Sequence, residues 1–307
     1  MSTVEAEVSG APVQVSEPPD SERPPWGLWG AAVVWLVSVG SMVFFQLIFL
    51  LAWFYVANVR GGGQFSSQEI VSWATSSQGV LANLLSLYVA AHPATLVVSY
   101  LVVTGFGRRP FLAGLESGSR AYGGKALARD AALAFAVCVL ALLLADESAD
   151  PSKFAGMLVM TWPARLLLGL LAVVTSPLIE EIVYRGVIYA ALRRRVGVWA
   201  AAAVVTLLYL LVLTPQYWGD NAALATMFVF GVTLTLTRAL TKSLKRSVYV
   251  HMLYNLGMTI SINFPGQRTA AVVGEVAAAF LVVTLALSAS GVLSGPADPA
   301  PETEGVS

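Results

Sequence analysis

Residues 31–57 read AAVVWLVSVGSMVFFQLIFLLAWFYVA, 27 residues without a single charge. About 20 apolar residues in a helix cross the hydrocarbon core of a bilayer. Trp26, Trp29, Trp53 and Tyr55 mark its two ends, where aromatic rings with a polar edge settle at the membrane–water boundary. The stretch predicts a membrane-spanning helix, and the rest of the chain repeats the pattern. Further apolar stretches lie at 80–104, 131–145, 164–192, 198–213, 222–237, 248–262 and 270–293. The third is short and is expected to begin near Leu127; the fourth is expected to bend at Pro177.

Composition agrees. Of 307 residues, 57% are hydrophobic and 12% charged, with a mean hydropathy of +0.72. A water-soluble domain carries roughly 25% charged residues, so this chain has too little polar material to coat a globule. The fold class expected is all-α, a polytopic membrane bundle of about eight helices. The transmembrane domain spans 26–293. The polar, Pro- and Ser-rich segment 1–25 and the segment 294–307 read as disordered tails. The lipid bilayer is the first partner implied.

Charge sets orientation and excludes classes. Lys+Arg and Asp+Glu are both 18, so no basic surface for nucleic acid is present. Cys138 is the sole cysteine, and His92 and His251 are the two histidines. A cysteine cluster or a three-imidazole site is therefore excluded. Thirteen basic residues, among them Arg108, Arg109, Arg193–Arg195, Arg238 and Arg246, fall on one side of the alternating spans. Arg60, Lys153, Arg165 and Arg268 fall on the other. The richer side is cytoplasmic by the positive-inside rule, which puts both termini in the cytoplasm.

Against this background the fourth stretch is anomalous. It contains Pro177-Leu178-Ile179-Glu180-Glu181-Ile182-Val183-Tyr184-Arg185-Gly186. Each ionisable group at the centre of a membrane helix costs about 2.5–3.5 kcal/mol on insertion scales. Three within six residues require a polar interior and mutual pairing. Glu181 and Arg185 are i,i+4 and share a face, while Glu180 is rotated about 100° away. Arg185 thus neutralises one carboxylate and leaves the other for chemistry; the pair could equally lock two helices together. The seventh stretch adds His251 and Asn255, again i,i+4. These are either two donors aimed at an oxyanion or a structural pair.

Glu180-Glu181-x-x-x-Arg185 followed by His251-x-x-x-Asn255 resembles the CPBP family, the CAAX-protease and bacteriocin-processing (Abi) intramembrane peptidases, which include the type II CAAX prenyl endopeptidases. The resemblance covers about 154–262. It implies a membrane bundle with a cavity opening to the cytoplasm and a bacterial plasma-membrane location. It also implies an endopeptidase acting on a membrane-associated or prenylated peptide or protein. By resemblance Glu180 activates water, Glu181 and Arg185 organise the site, and His251 and Asn255 stabilise the oxyanion. Members are often described as metalloproteases, which makes Glu180 and His251 candidate ligands for a divalent metal such as zinc. Zinc sites favour three protein ligands, and this chain lacks a classical set.

One motif departs. The family's middle motif, Phe-x-x-x-His, often ends in a Pro-Gln turn. Here the stretch reads Leu208-Tyr209-Leu210-Leu211-Val212-Leu213-Thr214-Pro215-Gln216-Tyr217. Alignment on Pro215-Gln216 puts Tyr209 at the Phe position and Leu213 at the His position. Gln216 and Tyr217 are the polar side chains that could reach in instead. Loss of an acid or base costs roughly 10²–10⁴-fold in rate. The alternative is therefore a pseudoprotease that binds peptides or partners, or serves bacteriocin self-immunity, without cutting. A transporter would spread ionisable groups over several spans and show an internal repeat; the sequence has neither.

Depth adds a condition. Glu180 lies about 20 Å along an ideal helix from Arg193, whereas His251 is about 7 Å from Arg246. The two can meet if the fourth helix projects into the cytoplasm or bends near Gly186.

Overall fold

The computed structural model describes residues 26–56, 66–74, 76–115, 123–144, 162–215, 217–262 and 270–290. The expected tails lie outside these residues. Within them all regular structure is helical. Helix α1 (Leu28–Phe54) is followed by α2 (Ser67–Ala74), α3 (Ser77–Ser86), a π-helical turn (Leu87–Ala91), α4 (His92–Thr104) and α5 (Phe111–Leu115). Then come α6 (Gly124–Leu144), α7 (Trp162–Leu170), a π turn (Leu171–Thr175), α8 (Ser176–Glu181) and a longer π segment (Ile182–Ile188). The last described elements are α9 (Tyr189–Leu213), α10 (Asn221–Thr241), α11 (Leu244–Ile262) and α12 (Ala270–Ser290).

Among the described residues six helical runs are long and apolar enough to cross a membrane: Leu28–Phe54, Gln78–Thr104, Gly124–Leu144, Ala164–Leu213, Asn221–Thr241 and Val272–Ser290. The difference from the eight stretches expected has two sources. The stretches 164–192 and 198–213 form one run of 50 residues, divided at Gly197, whose φ of 81° and ψ of 175° leave the helical region. A left-handed φ is one that glycine adopts without a Cβ penalty. The stretch 248–262 belongs to α11, whose Lys245, Arg246, His251 and Asn255 leave it too polar to qualify by hydropathy alone. The third span begins at Gly124, three residues before the expected Leu127.

The outside of the bundle is apolar and the inside partly polar. Leu36, Val43, Phe44 and Leu47 on α1 are each more than half exposed, and a bilayer would cover them. Asp130, Glu181, Arg185, Arg238, Ser247 and His251 are buried. Polar groups in a membrane protein need partners inside the protein, because hydrocarbon offers none. Arg246 makes two bonds to Asp130, at 2.6 and 2.5 Å, joining α11 to α6. Arg238 donates to the carbonyls of Arg185 (3.3 Å), Leu115 (2.7 Å) and Lys242. Two of the basic residues counted towards orientation are therefore structural clamps as well.

The path of the fourth run resolves the depth condition. Its π segment, Ile182–Ile188, contains Gly186 and follows directly on Glu181. A π turn closes i→i+5 bonds and appears as a bulge inside α-helices, often at functional sites. Gly186 also permits close packing: a Cβ there would lie 2.9 Å from Leu115 Cδ2. The segment packs on α1 and α9, and α8 packs on α11. That last contact brings the Glu180–Glu181 pair beside His251.

Candidate active site

Glu181 is the anchor. It ends α8 and its side chain is 0% exposed. Arg185 Nη1, one turn on and equally buried, donates to Glu181 Oε1 at 2.8 Å. The Ser247 hydroxyl donates to Oε2, and His251 Nδ1 lies 2.9 Å from Oε1. Arg185 spends its remaining donors on α10: Nε on Thr235 Oγ1 at 3.3 Å and Nη2 on the Gly231 carbonyl at 3.2 Å. Thr235 and Thr206 complete this layer with bonds of their own to the Gly231 carbonyl, at 2.8 and 3.5 Å. Each guanidinium nitrogen and both carboxylate oxygens of the buried pair thus carry a hydrogen bond, the condition under which such a pair is tolerated.

Glu180 is the contrast. Its side chain is 31% exposed, and its Oε2 lies 3.8 Å from His251 Nε2. Two adjacent glutamates therefore occupy opposite ends of one imidazole. Glu181 takes Nδ1 and Glu180 faces Nε2. A carboxylate at Nδ1 fixes the tautomer by accepting that N–H, as an orienting acid does in a catalytic triad. The 3.8 Å gap at Nε2 is longer than a direct hydrogen bond and leaves reactive edges facing each other.

Aromatic rings wall the site. Phe230 stands edge-on to His251 at 5.0 Å and stacks on Tyr254 at 3.9 Å. Tyr209, buried, meets His251 edge-on at 6.4 Å and Tyr184 at 5.3 Å. The Arg185 guanidinium sits 4.7 Å from its ring centre. Tyr209 lies within electrostatic range of Glu180. Tyr217, in the turn after α9, is also within electrostatic range of Glu180. Burial and then the Glu180 and Asp220 carboxylates push its phenol above the ordinary tyrosine range, so it remains a hydrogen-bond donor at neutral pH. Gln216 lies outside the described residues. Leu213, at the end of α9, packs against the apolar core.

Asn255 is placed one turn beyond His251 and serves another helix. Its Nδ2 donates to the Ala172 carbonyl at 2.7 Å. The reason is local. In the π turn Leu171–Thr175 the Ser176 N–H reaches the Leu171 carbonyl. The next bond in that pattern would run from residue 177 to Ala172, but Pro177 has no N–H. The amide of Asn255 fills the vacancy across the helix interface. The carbonyl freed by Pro177 was legible in the sequence; its partner was not.

The donors do not fit a zinc centre. Glu181 is committed to Arg185, Ser247 and His251 Nδ1, which leaves Glu180 and His251 Nε2. Among the described residues no group of three His, Cys, Asp or Glu is arranged to hold a metal, and a zinc site takes three protein ligands or more. His92 lies elsewhere, edge-on to Tyr88 at 6.5 Å.

An all-α, polytopic membrane protein with a buried, hydrogen-bonded Glu–Arg pair in its interior and a second, partly exposed carboxylate beside it is the class that fold and site define. Residues 161–257 match the family described as type II CAAX prenyl endopeptidase Rce1-like. That segment is about a third of the chain and contains Glu180, Glu181, Arg185, His251 and Asn255. The match supports the CPBP family. Comparison with curated proteins and with solved structures found no match.

Proposed function

We propose that the protein is an intramembrane endopeptidase in which Glu180 activates the attacking water. The observation that carries this reading is the asymmetry of the glutamate pair about His251. Glu181 is buried, ion-paired and spent, whereas Glu180 is partly exposed and faces Nε2 across 3.8 Å. The family match over 161–257 supports a CAAX-type endopeptidase fold.

In this reading a water held between Glu180 Oε2 and His251 Nε2 adds to the scissile carbonyl, and Glu180 takes its proton. The proton passes to Nε2. The imidazolium, paired with Glu181 at its other nitrogen, then bonds the oxyanion and returns a proton to the leaving nitrogen as the C–N bond breaks. Products are a carboxylic acid and an amine, and water is the sole co-reactant. The oxyanion duty assigned jointly to His251 and Asn255 falls mainly on His251; Asn255 holds α11 against the π turn. No step passes through a metal. The substrate class is a membrane-associated or prenylated peptide or protein, met by a chain with both termini in the cytoplasm.

The second reading is a catalytically silent relative that binds such peptides. Leu213 favours it, since a leucine neither gives nor takes a proton. Cleavage of prenylated and membrane-peptide libraries in proteoliposomes separates the two. Loss of cutting in Glu180→Ala supports the peptidase, and cutting only after Leu213→His supports the silent scaffold.

A further inference from the structure

We propose that the cavity between the start of α1 and the turn after α4 binds the phosphate of an anionic phospholipid, with Arg108 and Arg109 as its ligands. Binding there is independent of any peptidase activity. The cavity has a volume of about 450 Å³, and Trp26, Gly27, Gly30, Leu101, Arg108 and Arg109 are among the residues that line it. Two guanidiniums and no carboxylate face this space. Arginine is the side chain whose planar fork of donors matches a phosphate.

The fold fixes both walls. Gly105, Phe106 and Gly107 take left-handed backbone, with φ of 58°, 63° and 84°, which turns the chain back on the end of α4. The Thr104 carbonyl then accepts the N–H groups of both Arg108 (2.9 Å) and Arg109 (3.1 Å). The Thr104 hydroxyl accepts that of Gly107 at 2.8 Å. The backbone of both arginines is thereby tied to one residue that is itself buried. On the α1 side, Trp26 is buried and its indole N–H donates to the Val187 carbonyl at 3.2 Å. Gly30 makes room for this tryptophan, since a Cβ there would lie 2.9 Å from Trp26 Cβ. That wall is thus anchored on the π segment that carries Arg185.

The surroundings favour a lipid over a soluble anion. α1 starts and α4 ends here, on the side to which most of the basic residues fall. Trp29 is 86% exposed and has the amphipathic ring that settles at headgroup depth. One turn deeper, Val33 on α1 and Val97 on α4 are exposed apolar side chains. They stand i+3 from Gly30 and i−4 from Leu101, on the same strips of their helices. A molecule seated here meets two cations at its head and apolar surface along its tail. Basic pockets between membrane helices bind anionic headgroups in this way.

The full chain in detergent micelles is titrated with phosphatidylglycerol or phosphatidylcholine, and bound lipid is counted by native mass spectrometry. The native chain is compared with Arg108→Gln/Arg109→Gln, Gly27→Asp and, as control, Arg194→Gln/Arg195→Gln. Gly27→Asp is chosen to keep the fold. A Cβ at Gly27 meets nothing within 4 Å, its φ of −103° suits any residue, and an aspartate at that position caps α1. It sets a negative charge in the cavity and leaves both arginines in place. The native chain is expected to hold one phosphatidylglycerol about ten-fold or more tighter than phosphatidylcholine. Arg108→Gln/Arg109→Gln and Gly27→Asp are expected to lose that preference at unchanged melting temperature, and the control to keep it. Equal native affinity for the two lipids, native preference in either cavity variant, or an equal loss in the control overturns the proposal. A last arm adds millimolar inorganic phosphate. Retention of the lipid is expected, and its displacement overturns the proposal in favour of a free-anion site.

Discussion

Glu181 Oε1 lies 2.9 Å from His251 Nδ1, and that one contact decides the orientation of the whole site. With Nδ1 committed, the ring can only present Nε2 to the neighbouring Glu180. A single buried glutamate thus does two things: it neutralises Arg185 and aims an imidazole. The division between the two glutamates follows from their 100° separation on the helix. One faces Arg185 and α11, and the other faces the tyrosines of α9 and the turn beyond.

Removal of one member of the buried pair should be far worse than removal of both. Glu181→Ala leaves the buried Arg185 guanidinium without its counter-charge, a cost of about 3–5 kcal/mol. Glu181→Leu/Arg185→Met should be closer to native, because hydrophobic replacement of a whole buried pair is often nearly neutral. Reversible denaturation in mixed detergent micelles measures both. A double variant no more stable than Glu181→Ala contradicts the reading.

Asn255→Leu should leave the Ala172 carbonyl without a donor and cost about 1–3 kcal/mol. Pro177→Ala restores a backbone N–H in register with that carbonyl. The combination Asn255→Leu/Pro177→Ala is therefore expected to recover part of the loss, read as a coupling energy in a double-mutant cycle. Purely additive effects would mean that Asn255 acts elsewhere.

Arg246 and Asp130 join the N-terminal end of α11 to α6, with side chains 13% and 3% exposed. Asp130→Ala should destabilise by on the order of 3 kcal/mol and, by loosening α11, lower activity through kcat. Thermal unfolding and cleavage rate together check this. A stable but inactive Asp130→Ala would point to a more direct role for Asp130.

Chelation should leave cleavage intact. Glu180 and His251 Nε2 are the two uncommitted donors, one short of a zinc set. The check is cleavage rate after dialysis against a strong zinc chelator, then after zinc is returned. Loss on chelation with recovery on zinc would show a ligand set that these residues do not form.

Much of this was legible in the sequence because the governing signals are local. The charge-free run at 31–57 specifies a span by itself. The i,i+4 spacing of Glu181 and Arg185 predicts their pairing, and the pairing is found. Pro177 announces a freed carbonyl. What could not be read depends on contacts distant in sequence. Ser247 reaches Glu181 across 66 residues and Thr235 reaches Arg185 across 50; serine and threonine in an apolar helix carry no mark of which carboxylate or guanidinium they serve. Arg238 reads as an orienting surface charge, yet it is buried on three carbonyls. The π segment at Ile182–Ile188 has no clear sequence signature beyond Gly186, although it lies beside both glutamates. Tyr209 reads at first as a bulky stand-in for phenylalanine, and only the fold shows that its ring lies under the Arg185 guanidinium.

The most direct test of the account is the rate of peptide-bond cleavage by the native chain and by Glu180→Gln in the same proteoliposomes, with a prenylated and membrane-peptide library as substrate. The native protein is expected to cleave, and Glu180→Gln to fall by at least about 10²-fold at unchanged melting temperature. Cleavage by Glu180→Gln at the native rate would contradict it.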